Sequence, residues 1–235
     1  MSDAKSIDPK GEPGRGGVFR RVLMRALDRA IRSQSGLGVA YVDRLRRRDP
    51  SLTPRDVLRK LDRRYLAAVT TTGTAVGATS TVPGIGTVAA VGAISAESVL
   101  FLEATAFYTV AVAHLHGVDP VDDESRKTLV MAVMMGSEGT AIVSAVAGSG
   151  KSGGRGSLAG RLIGLPGLGG VRSRLQGGFM RKFATKRIGL ALGKLAPAGI
   201  GAAIGGWGNR RLGRTVIRTS RETFGAPPRQ WPARH

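Results

Sequence analysis

The chain has 235 residues, of which 42% are apolar and 5% aromatic, and its formal net charge is +20. This length suits one ordinary domain with its own core, and the apolar fraction excludes a largely disordered protein. The absence of cysteine excludes a disulfide framework, a thiolate zinc site and a cysteine nucleophile. The excess of positive charge favours polyanionic partners, either nucleic acid or an anionic membrane surface.

The positive charge is concentrated at the two ends of the chain. Residues 1–64 contain 17 Lys and Arg against 8 Asp and Glu, and residues 151–235 contain 17 against 1. Residues 65–150 contain 2 against 7. Two basic ends therefore flank a mildly acidic, apolar centre.

The first elements are predicted from polarity and capping residues. Residues 1–17 are polar, predict a disordered tail and contain no apolar segment of a secretory signal, so we expect a cytoplasmic protein. An amphipathic helix follows from residue 18, and a second helix is predicted to begin at Thr53 and Pro54, with Asp56 completing a capping box. The polar face of the first helix carries four arginines: Arg21, Arg25, Arg29 and Arg32.

The central elements are predicted from an uncharged run between Tyr65 and Ala96. The sequence PGIG at 83–86 interrupts it, because Pro and Gly do not continue a helix readily. We expect two apolar helices joined by that turn, the second ending near His116 with Gly117 as its cap. Acidic residues at 122–124 then open one helix that continues through residue 136 to about residue 147.

The C-terminal third predicts a Gly-rich loop or linker at 148–178 and a last pair of helices. The final helix carries a second cationic stripe, spaced by three, four and three residues: Arg211, Arg214, Arg218 and Arg221. No alternating strand pattern persists, so the predicted fold is all-α. It is a helical bundle around the apolar hairpin, with basic amphipathic helices at both ends, in a single domain at 18–225 followed by a tail at 226–235.

Two sequence motifs resemble a nucleotide-binding site and a metal site, but neither has the surroundings that such a site requires. The sequence AVAGSGKS, which ends in Lys151 and Ser152, matches a relaxed P-loop, but the Gly-rich sequence after it does not favour the helix that a P-loop requires. His114 and His116 point about 200° apart on a helix, so they are poorly placed to share a metal ion. The sequence therefore predicts no metal and no cofactor.

Three carboxylates are isolated in apolar sequence and are candidate buried groups: Glu97, Glu103 and Glu138. As buried acids they would have raised pKa values and could serve a proton or ligand site, and Glu97 or Glu103 could act as an acid/base group of an enzyme. The alternative, which we favour, places them at solvated helix edges or in ion pairs with arginines of the basic ends.

The uncharged run leaves the membrane geometry open. It is longer than the roughly 20 residues that cross a bilayer. A hairpin inserted in the membrane, a re-entrant hairpin and a buried hairpin of a soluble bundle all fit. The cationic flanks place both termini on the cytoplasmic side in each case.

The order of features resembles the EcsC family of bacterial proteins. The resemblance rests on Tyr65-Leu66, on PGIGT at 83–87, on AVAHLHGVDPVDDESR at 111–126 and on LAPAGIGAAIGGWGN at 195–209. His116 stands where the family has an aromatic residue, and the segment at 148–178 is unusually rich in glycine. The resemblance implies a helical protein linked to an ABC-transporter operon, without an established catalytic activity and without family site residues.

Together these patterns predict a non-catalytic, membrane-associated protein of the cytoplasmic face. Its two arginine stripes would bind anionic lipids, and a membrane transport protein is a further expected partner. The alternative is a soluble nucleic-acid-binding protein that uses the same arginines on phosphates. The absence of a recognised binding motif and the scarcity of aromatic residues count against that alternative.

Overall fold

The computed structural model describes residues 13–79, 87–118, 122–147, 159, 169–194 and 200–232. Within these ranges the chain forms helices and turns but no strand, which confirms the all-α prediction. The helices are α1 Pro13–Arg48, α2 Pro54–Thr79, α3 Thr87–Leu115, α4 Asp123–Met135, α5 Ser137–Ala147, α6 Gly169–Lys194 and α7 Ile200–Phe224.

Three helix ends lie where the sequence predicts them. At the start of α2, the Asp56 amide donates to the Thr53 hydroxyl at 3.2 Å, and the Thr53 amide donates back to the Asp56 carboxylate at 3.1 Å. Gly117 follows α3 with a φ of 69°, a left-handed conformation that favours glycine. The Asp122 carboxylate accepts from the Ser125 amide at 2.6 Å and so caps α4.

Several predicted boundaries are wrong. Residues 13–17, predicted as part of the tail, belong to α1, and residues 169–178, predicted as linker, begin α6. The basic helix that starts at Pro54 and the first apolar helix are one element, α2. The acidic helix stops at Met135 because Gly136 has a φ of 71°, which turns the backbone before α5. The predicted turn at 83–86, and the linker apart from Ala159 and residues 169–178, lie outside the described residues.

The predicted C-terminal tail packs against the helices as far as it is described. The Trp231 indole donates to the backbone oxygen of Leu52 at 3.0 Å, and the Arg46 guanidinium lies 5.0 Å from the indole centre. The tail thereby covers the connection between α1 and α2.

The core is built around α3, which packs against both α1 and α2, while α7 packs against α2. Tyr65 and Asp62 of α2 bond Thr105 and Tyr108 of α3 at 2.9 and 2.7 Å, so the two helices form an antiparallel pair. α4 contacts α1, α3 and α7, and α5 and α6 pack against it as well. One continuous apolar cluster contains side chains from each of the seven helices in the described part of the chain.

Candidate cationic surface of the last helix

The exposed side of α7 carries a row of one aromatic and four cationic side chains. We call this row the α7 stripe: Trp207, Arg211, Arg214, Arg218 and Arg221. At about 100° per residue these positions lie within an arc of about 80°. All five side chains are exposed, and Trp207 is 64% exposed. The Arg211 guanidinium lies 5.5 Å from the Trp207 ring, so the aromatic end and the cationic end are continuous.

Glycines on α2 and α7 fix the orientation of this stripe. A Cβ at Gly73 would lie 2.4 Å from the backbone oxygen of Gly205, and a Cβ at Gly213 would lie 2.9 Å from the Val69 side chain. The helices can therefore approach this closely only because these side chains are missing. Val216 and Phe224 are buried on the same inner side of α7, which leaves the arginines facing outward.

The arginines of the stripe differ in their contacts. Arg221 donates to the buried carboxylate of Asp62 at 2.6 Å, and the Tyr108 hydroxyl donates to the same carboxylate at 2.7 Å. Burial and the neighbouring Asp62 charge raise the pKa of Tyr108 well above its ordinary value. Arg218 lies 3.9 Å from Glu222, a weak contact. Arg214 is exposed, and no ion pair joins it to a described residue.

Three of these arginines converge on one depression between α2 and α7. The cavity has a volume of about 460 Å³, and Leu66 and Ile217 form its apolar part. Asp62 and Glu222 also line it, and both already face arginines. A small anionic group is the ligand that suits Arg214 and Arg218 at this position. The cationic residues of the cavity are Arg214, Arg218 and Arg221.

The first arginine stripe is also exposed, but it belongs to another part of the molecule. Its helix, α1, packs against α3, whereas α7 packs against α2. The arginines of this first stripe are Arg21, Arg25, Arg29 and Arg32. Arg32 lines a cavity of about 700 Å³ between α1, α3 and α4. That cavity also contains Arg47, Arg126, His114 and two carboxylates. Both carboxylates already have partners, since Asp123 pairs with Arg126 at 2.9 Å and Asp43 lies 3.3 Å from His114.

Of the three candidate buried carboxylates, Glu97 is the one that the packing of the helices buries. Glu97 is 1% exposed and accepts a hydrogen bond from the Asn209 amide at 2.6 Å. Glu103 is half-buried at a groove between α1 and α2. The Glu138 side chain is 36% exposed and pairs with Lys182 and Arg181, so its pKa is lowered, principally by Lys182. Glu138 thus follows the ion-pair alternative.

Of the two motifs that the sequence analysis set aside, the structure describes the histidine pair but not the P-loop-like segment. His114 Nε2 lies 3.3 Å from the Asp43 carboxylate, and His116 Nδ1 donates to the Val112 oxygen at 2.8 Å. The two imidazoles therefore have different partners, and the described part of the chain holds no group of three metal-ligating side chains. The P-loop-like segment with Lys151 lies outside the described residues.

One described segment is long and apolar enough to cross a membrane, Ala96–Leu115, with a mean hydropathy of 1.5. It is the C-terminal two-thirds of α3, and 61% of it is buried inside the protein. A core helix of a bundle has the same properties, because neighbouring helices cover it as lipid would.

Sequence reasoning missed Trp207 as a member of the stripe and Asp62 as the anchor of Arg221. The four-residue spacing from Trp207 to Arg211 was a usable signal for the first. Nothing in the sequence pairs residue 62 with residue 221, because that contact depends on how α2 meets α7. No protein-family model, curated protein or solved structure matches this chain, so the resemblance to the EcsC family stays a prediction.

Proposed function

We propose that this protein is a peripheral protein of an anionic membrane surface and that the α7 stripe is its contact with lipid. The observation that carries the proposal is the composition of the stripe: one exposed indole in register with four exposed arginines on one side of a packed helix. Indoles are enriched at the headgroup level of membranes, and guanidinium groups bind lipid phosphates. A rigid helix presents both groups together.

The packing of α3 favours peripheral over integral association. The apolar stretch Ala96–Leu115 is largely covered by other helices of the protein. Insertion of this stretch into lipid would require α1, α2 and α4 to leave it, at the cost of the contacts that hold the core together. The net charge of +20 and the anionic inner leaflet favour the cytoplasmic side. A transport protein, as the family resemblance implies, is a partner that such a location would permit.

Vesicle binding tests this function directly. Replacement of Arg211, Arg214 and Arg218 by Gln should weaken binding to phosphatidylserine-containing vesicles by roughly 100-fold at low salt, since each Arg contributes about 1 kcal/mol. The difference should shrink as salt rises. Arg221 is left in place because its loss would leave Asp62 buried without its guanidinium partner.

The matched control removes three exposed arginines from other helices: Arg48, Arg55 and Arg63. The control variant loses the same three positive charges as the α7 variant. A general electrostatic effect would therefore weaken vesicle binding equally in both variants. Equal losses in the two variants, or no loss in the α7 variant, would contradict the proposal. Loss of duplex-DNA binding with unchanged vesicle binding would support the nucleic-acid alternative instead.

Tryptophan fluorescence supplies a second measurement, because the chain has two tryptophans in different environments. In a Trp231→Phe variant, Trp207 is the sole reporter, and its emission should shift to shorter wavelength when anionic vesicles are added. In a Trp207→Phe variant, Trp231, which already donates to Leu52, should show no shift. A shift from Trp231 alone would place the contact elsewhere.

A further inference from the structure

A groove between α1 and α2, floored by α3, exposes apolar side chains. We call it the α1–α2 groove; it has a volume of about 450 Å³, within the range of small-molecule sites. Leu37 of α1 is 57% exposed and Leu100 of α3 is 46% exposed, and both line it. They are, with Trp207, the large hydrophobic side chains exposed among the described residues. Tyr41 and Phe107 line the same groove, with ring centres 5.7 Å apart.

The groove has a cationic end. The Arg64 guanidinium lies 4.9 Å from the Tyr41 ring, and Arg44 follows Tyr41 by about one turn of α1. Leu37 lies about one turn before Tyr41, in the opposite direction along the helix. Both arginines are exposed, and no ion pair joins either of them to a described residue. Arg44 and Leu37 are therefore about 10 Å apart along α1, at 1.5 Å per residue.

One carboxylate, Glu103, also lines the groove. Two guanidinium groups against one carboxylate leave a net positive charge, so the charge of the groove is complementary to an anion. Glu103 lies on α3 about one turn from both Leu100 and Phe107. Apart from this carboxylate, the order of cationic, aromatic and aliphatic side chains along the groove matches a molecule with an anionic head and one apolar chain. A planar guanidinium binds a carboxylate with two parallel hydrogen bonds.

We propose that the α1–α2 groove binds a medium-chain fatty acid, with the carboxylate at Arg44 and Arg64 and the acyl chain along Leu37 and Leu100. Burial of the chain removes both leucines from water, and each buried methylene contributes to affinity. No residue of α7 lines the groove, so this site is separate from the α7 stripe and does not depend on the proposed membrane function.

Calorimetric titration with three probes of equal chain length tests the charge preference: dodecanoate and dodecyltrimethylammonium below their micellar concentrations, and dodecan-1-ol below its solubility limit. We expect dodecanoate to bind about tenfold or more tightly than the alcohol, and the cation to bind weakest. Absence of dodecanoate binding, or equal affinity for the acid and the alcohol, would overturn the proposal. Tighter binding of the cation would also overturn the proposal, and it would indicate that Glu103 determines the charge preference of the groove.

Variants locate the site. Arg44→Gln with Arg64→Gln should abolish the preference for dodecanoate and leave dodecan-1-ol affinity unchanged, whereas Arg55→Gln with Arg63→Gln should leave both unchanged. Leu100→Trp should fill the groove and weaken both probes, and Leu37→Trp repeats that test should Leu100→Trp unfold. Ala203→Trp, an exposed site on α7, controls for the added indole. Retained binding in a folded groove-filling variant contradicts the assignment.

Vesicle binding separates this inference from the proposed function. The Arg44 and Arg64 variant should bind phosphatidylserine-containing vesicles like its matched control, since the α7 stripe is intact. Vesicle binding that fails in the unmodified protein, together with selective dodecanoate binding, would leave the groove assigned and reject the membrane function.

Discussion

The hydrogen bond between Glu97 and Asn209 joins α3 to α7 inside the core. Both residues are buried, and the Asn209 amide lies 2.6 Å from the carboxylate. A buried acceptor that loses its donor keeps its desolvation cost, which is about 1–3 kcal/mol for one bond. This polar contact therefore fixes how α7, and with it the cationic stripe, sits on the core.

Replacement of Asn209 by Ala should lower the free energy of unfolding by about 1–3 kcal/mol. The physical reason is the loss of a donor to a carboxylate that water does not reach. Urea denaturation followed by circular dichroism measures this change. Arg210→Ala, at the exposed neighbouring position, is the control, and a similar small effect in both variants would contradict the structural role.

His116 predicts a pH dependence of stability. Burial lowers its pKa in the folded protein below the ordinary 6.5 of the unfolded chain. Below pH 6.5 the unfolded state therefore binds more protons, and stability falls as pH decreases from about 6.5 toward the folded pKa. Above that pH the contribution is fully present.

The measurement compares unfolding free energies at about pH 7.5 and about pH 5.5, on either side of the ordinary histidine pKa. The unmodified protein should lose more stability on acidification than a His116→Gln variant. His114→Gln serves as the control, because that imidazole is partly exposed and lies beside the Asp43 carboxylate. Identical pH profiles for the unmodified protein and His116→Gln would contradict the prediction.

At the scale of elements, the close approach of α2 and α7 depends on glycine. A Cβ at Gly73 would lie 2.4 Å from a backbone oxygen of α7, and backbone cannot move away as a flexible side chain can. Gly36, in α1, has no atom within 4 Å of the position of its Cβ. The two glycines lie inside helices, so they differ in packing and not in secondary structure.

Gly73→Ala should destabilise the protein by about 1–3 kcal/mol, the usual cost of overpacking. Gly36→Ala should be neutral or stabilising by about 0.5–1 kcal/mol, because alanine suits a helix interior better. Thermal and urea unfolding of the two variants give the comparison. If Gly73→Ala were as stable as Gly36→Ala, the tight α2–α7 contact would be wrong.

At the scale of the whole molecule, a peripheral protein and an integral one respond differently to washing. We expect the protein to sediment with cell membranes at low salt and to be released by high salt, because screening removes the attraction between arginine and anionic lipid. Alkaline carbonate, which strips peripheral proteins but leaves membrane-spanning ones in place, should release it too. Cell fractionation with detection in each wash measures this. Protein that stays in the membrane fraction after the carbonate wash would indicate that Ala96–Leu115 enters the bilayer. Recovery of all the protein in the soluble fraction before any wash would reject membrane association.

The sequence by itself determined the features that depend on neighbours along the chain. Thr53 with Asp56, Gly117 and Asp122 are caps, and their hydrogen bonds form within one helical turn. The arginine stripes likewise follow from helical spacing alone. The end of α4 at Gly136 was missed, because a glycine inside an apolar run is compatible with a continuous helix until its φ is known.

Only the tertiary structure decided which side chains from distant positions meet. Glu97, Glu103 and Glu138 look alike in sequence, since each is an isolated acid in apolar surroundings. Packing separates them: α7 supplies Asn209 to Glu97, α6 supplies Lys182 to Glu138, and Glu103 faces the α1–α2 groove. The same holds for Arg221, which the α2–α7 contact joins to Asp62. Burial and partners of a charge depend on the approach of whole helices, which no local pattern specifies.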